Sequence, residues 1–162
     1  MTSEGDLDTI LATARSTDSK CILLAEDSPA DVYLIRQAIL KHKKNISLDV
    51  IVVTDGEQAI DYILRRGRFA QVCRPDLIVL DLNLPKSDGV DVLRCARGQP
   101  DVSNIPIVVL TSSDSPSDRS ITERLGANRF ITKPTDLDTF MALGEILMHY
   151  VEGNGSASHF TP

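Results

Sequence analysis

The chain has 162 residues, 42% hydrophobic and 25% charged, which is long enough for one domain with a real core. Its 23 acids against 17 Lys and Arg give a net charge of -6, the opposite of the basic footprint that nucleic-acid binding requires. Its longest apolar runs are only about five or six residues, so nothing in it spans a membrane.

Residues 1–19 are polar, yet Leu7, Ile10, Leu11 and Ala14 fall at i, i+3, i+4 and i+7. A short amphipathic helix and a frayed end are both open for this N-terminal extension. The start lacks a basic residue followed by an apolar stretch, so no signal peptide is expected. "CILLA" (21–25) is the first strand run, followed by helical spacing at Val32, Ile35 and Ile39. "LDVIVV" (48–53) is the second strand, and Ala59, Ile60, Ile63 and Leu64 mark the second helix. "DLIVLD" (76–81) precedes a helix with Val90, Leu93 and Ala96; "IPIVVL" (105–110) precedes the weakest helix, Ser115 to Leu125, which offers little beyond Ile121 and Leu125. "RFIT" (129–132) is the fifth strand, and Leu137, Phe140, Met141, Gly144, Leu147, Met148 and Val151 form the clearest helical stripe. "EGNGSASHFTP" (152–162) reads as a loose tail, which leaves residues 20–151 as a single domain. Most of the strand runs are apolar on both faces, as in strands buried within a parallel sheet. Five repeats of strand then helix predict a right-handed, doubly wound parallel α/β sheet covered by five helices.

Ligands of such sheets sit beyond the carboxyl ends of the strands, where strand order reverses. After the first strand come Glu26 and Asp27, after the third Asp81, after the fourth Thr111 and after the fifth Lys133. Asp31 is set aside: "SPAD" places Ser28 at the N-cap, Pro29 at the first helical position and Asp31 at N3, a capping-box arrangement. Asp55, Gly56, Asp88 and Gly89 read as turn and cap residues. Glu26, Asp27 and Asp81 each have a bland reading as strand-end polar residues, but together they do not. Two carboxylates about 4 Å apart repel by about 4 kcal/mol at an effective dielectric of about 20, so three converging acids need a cation. An all-oxygen, acid-rich cradle suits a hard ion, and Mg²⁺ fits a site that also handles phosphate. Beside such an ion a carboxylate can attack phosphorus, with Lys133 and Thr111 offering donors to the phosphoryl oxygens. The three cysteines, Cys21, Cys73 and Cys95, show no metal spacing and are expected as reduced thiols in the cytoplasm; His42, His149 and His159 show no zinc spacing either.

Over residues 20 to 150 the sequence resembles the receiver domain of two-component response regulators, the CheY-like family. The resemblance rests on "ED" (Glu26, Asp27), "LDLNLPKSDG" with Asp81, "VVLTSS" with Thr111 and "FITKP" with Lys133, in order and each after the right strand. It implies a flavodoxin-like sheet of order 2-1-3-4-5, with Asp81 as phosphoacceptor. It further implies a Mg²⁺ site made by Asp27, Glu26 through water, Asp81 and the Asn83 backbone carbonyl. Thr111 and Phe130 would be switch residues, and the Lys133–Pro134 bond would be cis. The implied partner is a sensor histidine kinase or a phosphotransfer protein. "RRGRFAQVCRPD" lengthens the link between the second helix and the third strand, a feature of the small single-domain regulators that accompany phytochrome-type kinases; a tolerated surface insertion is the other reading.

The protein is thus expected to be an acceptor rather than an enzyme acting on external substrates. Only 29 residues follow Lys133, too few for an output domain, so output through protein contact, including a homodimer, is expected. A haloacid dehalogenase-type phosphatase also uses an Asp nucleophile, Mg²⁺ and a lysine. It needs an acid two residues after the nucleophile, where this chain has Asn83. A flavodoxin-like FMN carrier would need a phosphate loop where Glu26 and Asp27 stand.

Overall fold

A computed structural model describes residues 19–153; the stripe from Leu7 to Ala14 and the tail from 154 onward lie outside the described residues. Five strands, β1 (Ser19–Ala25), β2 (Ser47–Val53), β3 (Leu77–Leu80), β4 (Ile107–Thr111) and β5 (Arg129–Thr132), form one parallel sheet in the order β2-β1-β3-β4-β5. Five helices follow them: α1 (Pro29–His42), α2 (Gly56–Ile63), α3 (Gly89–Gly98), α4 (Pro116–Arg124) and α5 (Leu137–Val151). None of the described helices is long and apolar enough to cross a membrane.

The two-sided apolar strands account for this architecture. Alternate residues of one strand point to opposite faces, so Ile22 and Leu24 pack with Ile35, Ile39, Leu143 and Leu147 of α1 and α5. Leu23 and Ala25 pack on the other side with Ala59, Ile63, Val92 and Leu93 of α2 and α3. Each such buried aliphatic side chain contributes roughly 1.5–3 kcal/mol, more than the fractions of a kcal/mol available from helix propensity. Burial therefore decides where the helices lie.

Local signals set the helix starts. Ser28, Asp55 and Asp88 accept the N3 backbone N–H of α1, α2 and α3, with Pro29 at the first position of α1. Helix α4 is held least, as its spacing predicts: Thr122 alone of its residues is buried, while Ile121 is half-buried. Strand ends move by one or two residues from the apolar runs. β4 begins at Ile107 because Pro106 has no N–H to give the ladder, although its carbonyl accepts from Ile78.

The connection after α2 is more than a surface insertion. A short 3-10 turn at Gly67–Phe69 brings Phe69 back into the core with Val72. Tyr62 donates its hydroxyl to the Cys73 carbonyl at 2.8 Å, and Arg74 ties the segment to the Ile63 carbonyl and to Asp101.

Candidate functional site

The strand tips bring the singled-out residues together. Order reverses between β1 and β3, and the crevice above that point receives Glu26 and Asp27 from β1, Asp81 from β3, Thr111 from β4 and Lys133 from β5. The sheet itself places the backbone there. Glu26 donates its N–H to the Val53 carbonyl, Asp81 to Ala25 and Lys133 to Thr111, each a continuation of strand pairing beyond the last ladder residue. Gly89 allows close packing below, since a Cβ there would overlap the Asp81 carbonyl and Leu82.

The Lys133 ammonium is the hub. It lies 2.7 Å from Glu26 Oε2, 2.8 Å from Asp31 Oδ2 and 2.9 Å from Asp81 Oδ2, with only 8% of its side chain exposed. The other oxygens are held by backbone amides: Ser28 N–H donates to Glu26 Oε1 and Asn83 N–H to Asp81 Oδ1, each at 3.0 Å. Thr111 Oγ1, fully buried, accepts from Asn83 Nδ2 at 3.4 Å and from the Ser113 N–H at 3.3 Å.

These contacts split the acids. Burial, the largest influence on both Lys133 and Asp81, is outweighed at each. The three carboxylates raise Lys133 above its ordinary value. The Asn83 amide and then the Lys133 ammonium hold Asp81 below the usual carboxylate range. Glu26, 2% exposed, is pushed up to about 7 because burial outweighs its bonds from Lys133 and Ser28. One ammonium cannot balance three carboxylates, and the most enclosed one keeps its proton longest.

Asp27 is exposed but close. Glu26, Asp27 and Asp81 each offer a carboxylate oxygen, all within 4.8 Å of one another. With Asp31 they amount to four negative charges against one positive when all are ionised, so the pocket retains a deficit of positive charge. That donor set, all oxygen and anionic, fits a hard divalent ion.

Two expectations change. The Asp31 carboxylate is not spent on capping. Glu26 takes the Ser28 N–H that a capping box would use, while Asp31 gives only its own N–H to Ser28 Oγ and turns its carboxylate to Lys133. The sequence held a weak hint, an acid one helical turn after the pair, but its partner lies 102 residues away. The Lys133–Pro134 bond is trans, as is every peptide bond among the described residues; trans is the form favoured before proline by about 0.5–1 kcal/mol. Phe130, the other residue singled out beside Thr111, is buried: it sits in the core beneath the Arg119 guanidinium, 4.7 Å from the ring centroid. Beside the site, a cleft of about 530 Å³ is lined by Asp31, Leu34, Lys133, Pro134, Leu137 and Phe140 among others.

An acid-rich pocket over the switch point of a 2-1-3-4-5 sheet, with one lysine drawn in from the last strand, defines a receiver-type signalling domain. Comparison with known proteins agrees: residues 22–144 match the response regulator receiver domain, and the chain belongs to that family. Response regulator Rcp1 of Synechocystis sp. (strain ATCC 27184 / PCC 6803 / Kazusa) is 39% identical over 138 residues, spanning 85% of this chain and 92% of Rcp1. The structure of the phosphorylated cyanobacterial phytochrome response regulator RcpA aligns with a TM-score of 0.78 at 36% identity, over 83% of this chain and 94% of that one. The Mn(2+)-bound form of Rcp1 aligns with a TM-score of 0.76 at 36% identity, over 82% and 95%. The chain is therefore a two-component signalling protein similar to phytochrome response regulators.

Proposed function

We propose that residues 20–151 form a phosphoacceptor unit in which Asp81 takes a phosphoryl group from the phosphohistidine of a sensor histidine kinase or a phosphotransfer protein. The observation that carries this reading is the Lys133 ammonium held 2.9 Å from the buried Asp81 carboxylate, beside an acid set able to hold a divalent ion. Similarity to RcpA and Rcp1 supports a phytochrome-type kinase as the donor.

In the transfer, a carboxylate oxygen of Asp81 attacks phosphorus. The O–P bond forms as the P–N bond to the donor imidazole breaks, and the electron pair stays on that nitrogen, which takes a proton from solvent. Asp27, Asp81, Glu26 through water and the Asn83 main-chain carbonyl would hold Mg²⁺; when bound, the ion offsets charge on the phosphoryl oxygens. Lys133 supplies N–H donors to those oxygens from a site that admits little water. Asn83 cannot relay a proton as the second acid of a haloacid dehalogenase does, so rapid turnover is disfavoured.

Signalling follows from what the new oxygens attract. The Thr111 hydroxyl, now accepting from Asn83 and Ser113, turns to donate to a phosphoryl oxygen. Phe130 pairs in register with Val109, two residues before Thr111, so movement at the end of β4 alters the packing around the ring. Helix α4, with little buried surface, shifts at low cost, and phosphorylation biases a pre-existing equilibrium. The readers of that state are proteins, a second copy of the chain among them, and the net charge of -6 opposes nucleic acid. Cys21, Cys73 and Cys95 are thiols rather than disulfide halves, which supports a reducing, cytoplasmic setting.

Incubation with Mg²⁺ and acetyl phosphate, followed by intact mass measurement, tests the reading. The protein should gain one phosphoryl group and Asp81→Asn none. Steady hydrolysis of a phosphomonoester would instead support the phosphatase.

A further inference from the structure

We propose that Asp31 is a specificity-determining residue that restrains uptake of phosphoryl groups from small anionic donors, leaving the site tuned to a protein donor that carries a cation. The inference rests on Asp81 being the acceptor and adds a role for a residue outside the acceptor and metal set.

An ammonium has three N–H donors, and here all three are engaged, by Glu26, Asp31 and Asp81. The three acids are not equivalent. Glu26 is enclosed and fixed by the Ser28 amide, and Asp81 is fixed by the Asn83 amide. Asp31 has 28% of its side chain exposed, lies outside the cluster able to hold a metal, and lines the cleft that opens beside Lys133. No capping bond requires its carboxylate, because Glu26 occupies the Ser28 N–H. It therefore does two things at the mouth of the site: it competes with an entering phosphoryl oxygen for Lys133, and it places a negative charge on the approach.

A small phosphodonor is itself an anion and meets both obstacles. A protein donor that presents Lys or Arg beside its phosphohistidine can pair with Asp31 in the cleft, which frees one Lys133 donor as the phosphoryl group arrives. Lys133 keeps two anchors when Asp31 is removed, so its position over Asp81 survives. With acetyl phosphate the step is the same attack by Asp81, with the bond from phosphorus to the acetyl oxygen breaking and acetate leaving with the electron pair.

The test measures the rate of phosphoryl gain by intact mass against donor concentration, at Mg²⁺ saturating for each variant, for wild type, Asp31→Asn, Asp31→Ser and Asp31→Glu. The neutral variants should react with acetyl phosphate roughly three- to tenfold faster, the gain appearing in KM while the maximal rate holds. Asp31→Glu should behave as wild type. The gain should be smaller with phosphoramidate, which carries less negative charge at neutral pH. Having two neutral replacements keeps the test decisive if one folds poorly. Equal or slower uptake in the neutral variants, or a glutamate variant matching them, overturns the inference while leaving Asp81 as acceptor. No phosphoryl gain in any of the four proteins overturns the Asp81 assignment and this inference with it.

Discussion

Lys133 Nζ and Asp81 Oδ2 lie 2.9 Å apart across 52 residues of sequence, and the same nitrogen is 2.7 Å from Glu26. The ammonium is the only cation in contact with these two buried acids among the described residues. Lys133→Met should therefore cost the metal-free protein roughly 3–5 kcal/mol at pH 8, the usual penalty for leaving a buried charge without its partner. Urea unfolding measures it, and added Mg²⁺ should narrow the gap to wild type, because an ion bound by Asp27 and Asp81 compensates the same charge.

Glu26 sets a pH dependence with a definite sign. Its ordinary value of 4.5 is raised to about 7 in the fold, chiefly by burial. Between those values the native state holds more protons than the unfolded chain, so its contribution is full below about pH 4.5 and is lost as pH rises toward 7. Asp81 is shifted the other way, and its contribution is lost only at pH values below the ordinary carboxylate range. Metal-free Glu26→Gln should thus lose less stability than wild type between pH 5 and pH 7.5, read from urea midpoints across that range.

Two glycines separate packing from site geometry. A Cβ at Gly144 would overlap the Ala38 carbonyl where α5 crosses α1, and one at Gly89 would overlap the Asp81 carbonyl. Both alanine variants should lose about 1–3 kcal/mol or more from overpacking. Gly89→Ala alone should also weaken Mg²⁺ binding, by roughly tenfold or more, because it displaces a proposed ligand. Calorimetric titration distinguishes the two.

Arg97 latches the far edge of the sheet. Its guanidinium donates to the carbonyls of Ser103, Ile105 and Gly126 and to Asn128 Oδ1. Arg97→Ala should cost about 2–4 kcal/mol in thermal or urea unfolding, and Arg97→Lys should recover little of it, since an ammonium cannot reproduce the planar fork.

The strands were legible because burial on both faces leaves continuous Val, Ile and Leu runs; their spatial order, β2-β1-β3-β4-β5, departs from chain order and was carried by the family resemblance. The caps at Ser28, Asp55 and Asp88 were legible because they are local, each satisfied within three residues. Asp31 was misread for the same reason: its local position fits a cap, and nothing local shows that Lys133 from β5 takes its carboxylate. The depth of Phe130 and the return of Phe69 and Val72 into the core likewise depend on tertiary neighbours, Arg119 and Tyr62 among them. The isomer before Pro134 has no sequence signature at all, since both are accessible to the same dipeptide.

Locating the phosphoryl group on the chain tests the central claim most directly. After loading with Mg²⁺ and acetyl phosphate, borohydride reduces an aspartyl phosphate to homoserine, and peptide mass mapping shows where. Conversion at residue 81 alone is the predicted result. Conversion at Glu26 or Asp27, or a gain of phosphoryl mass with residue 81 unaltered, would contradict it.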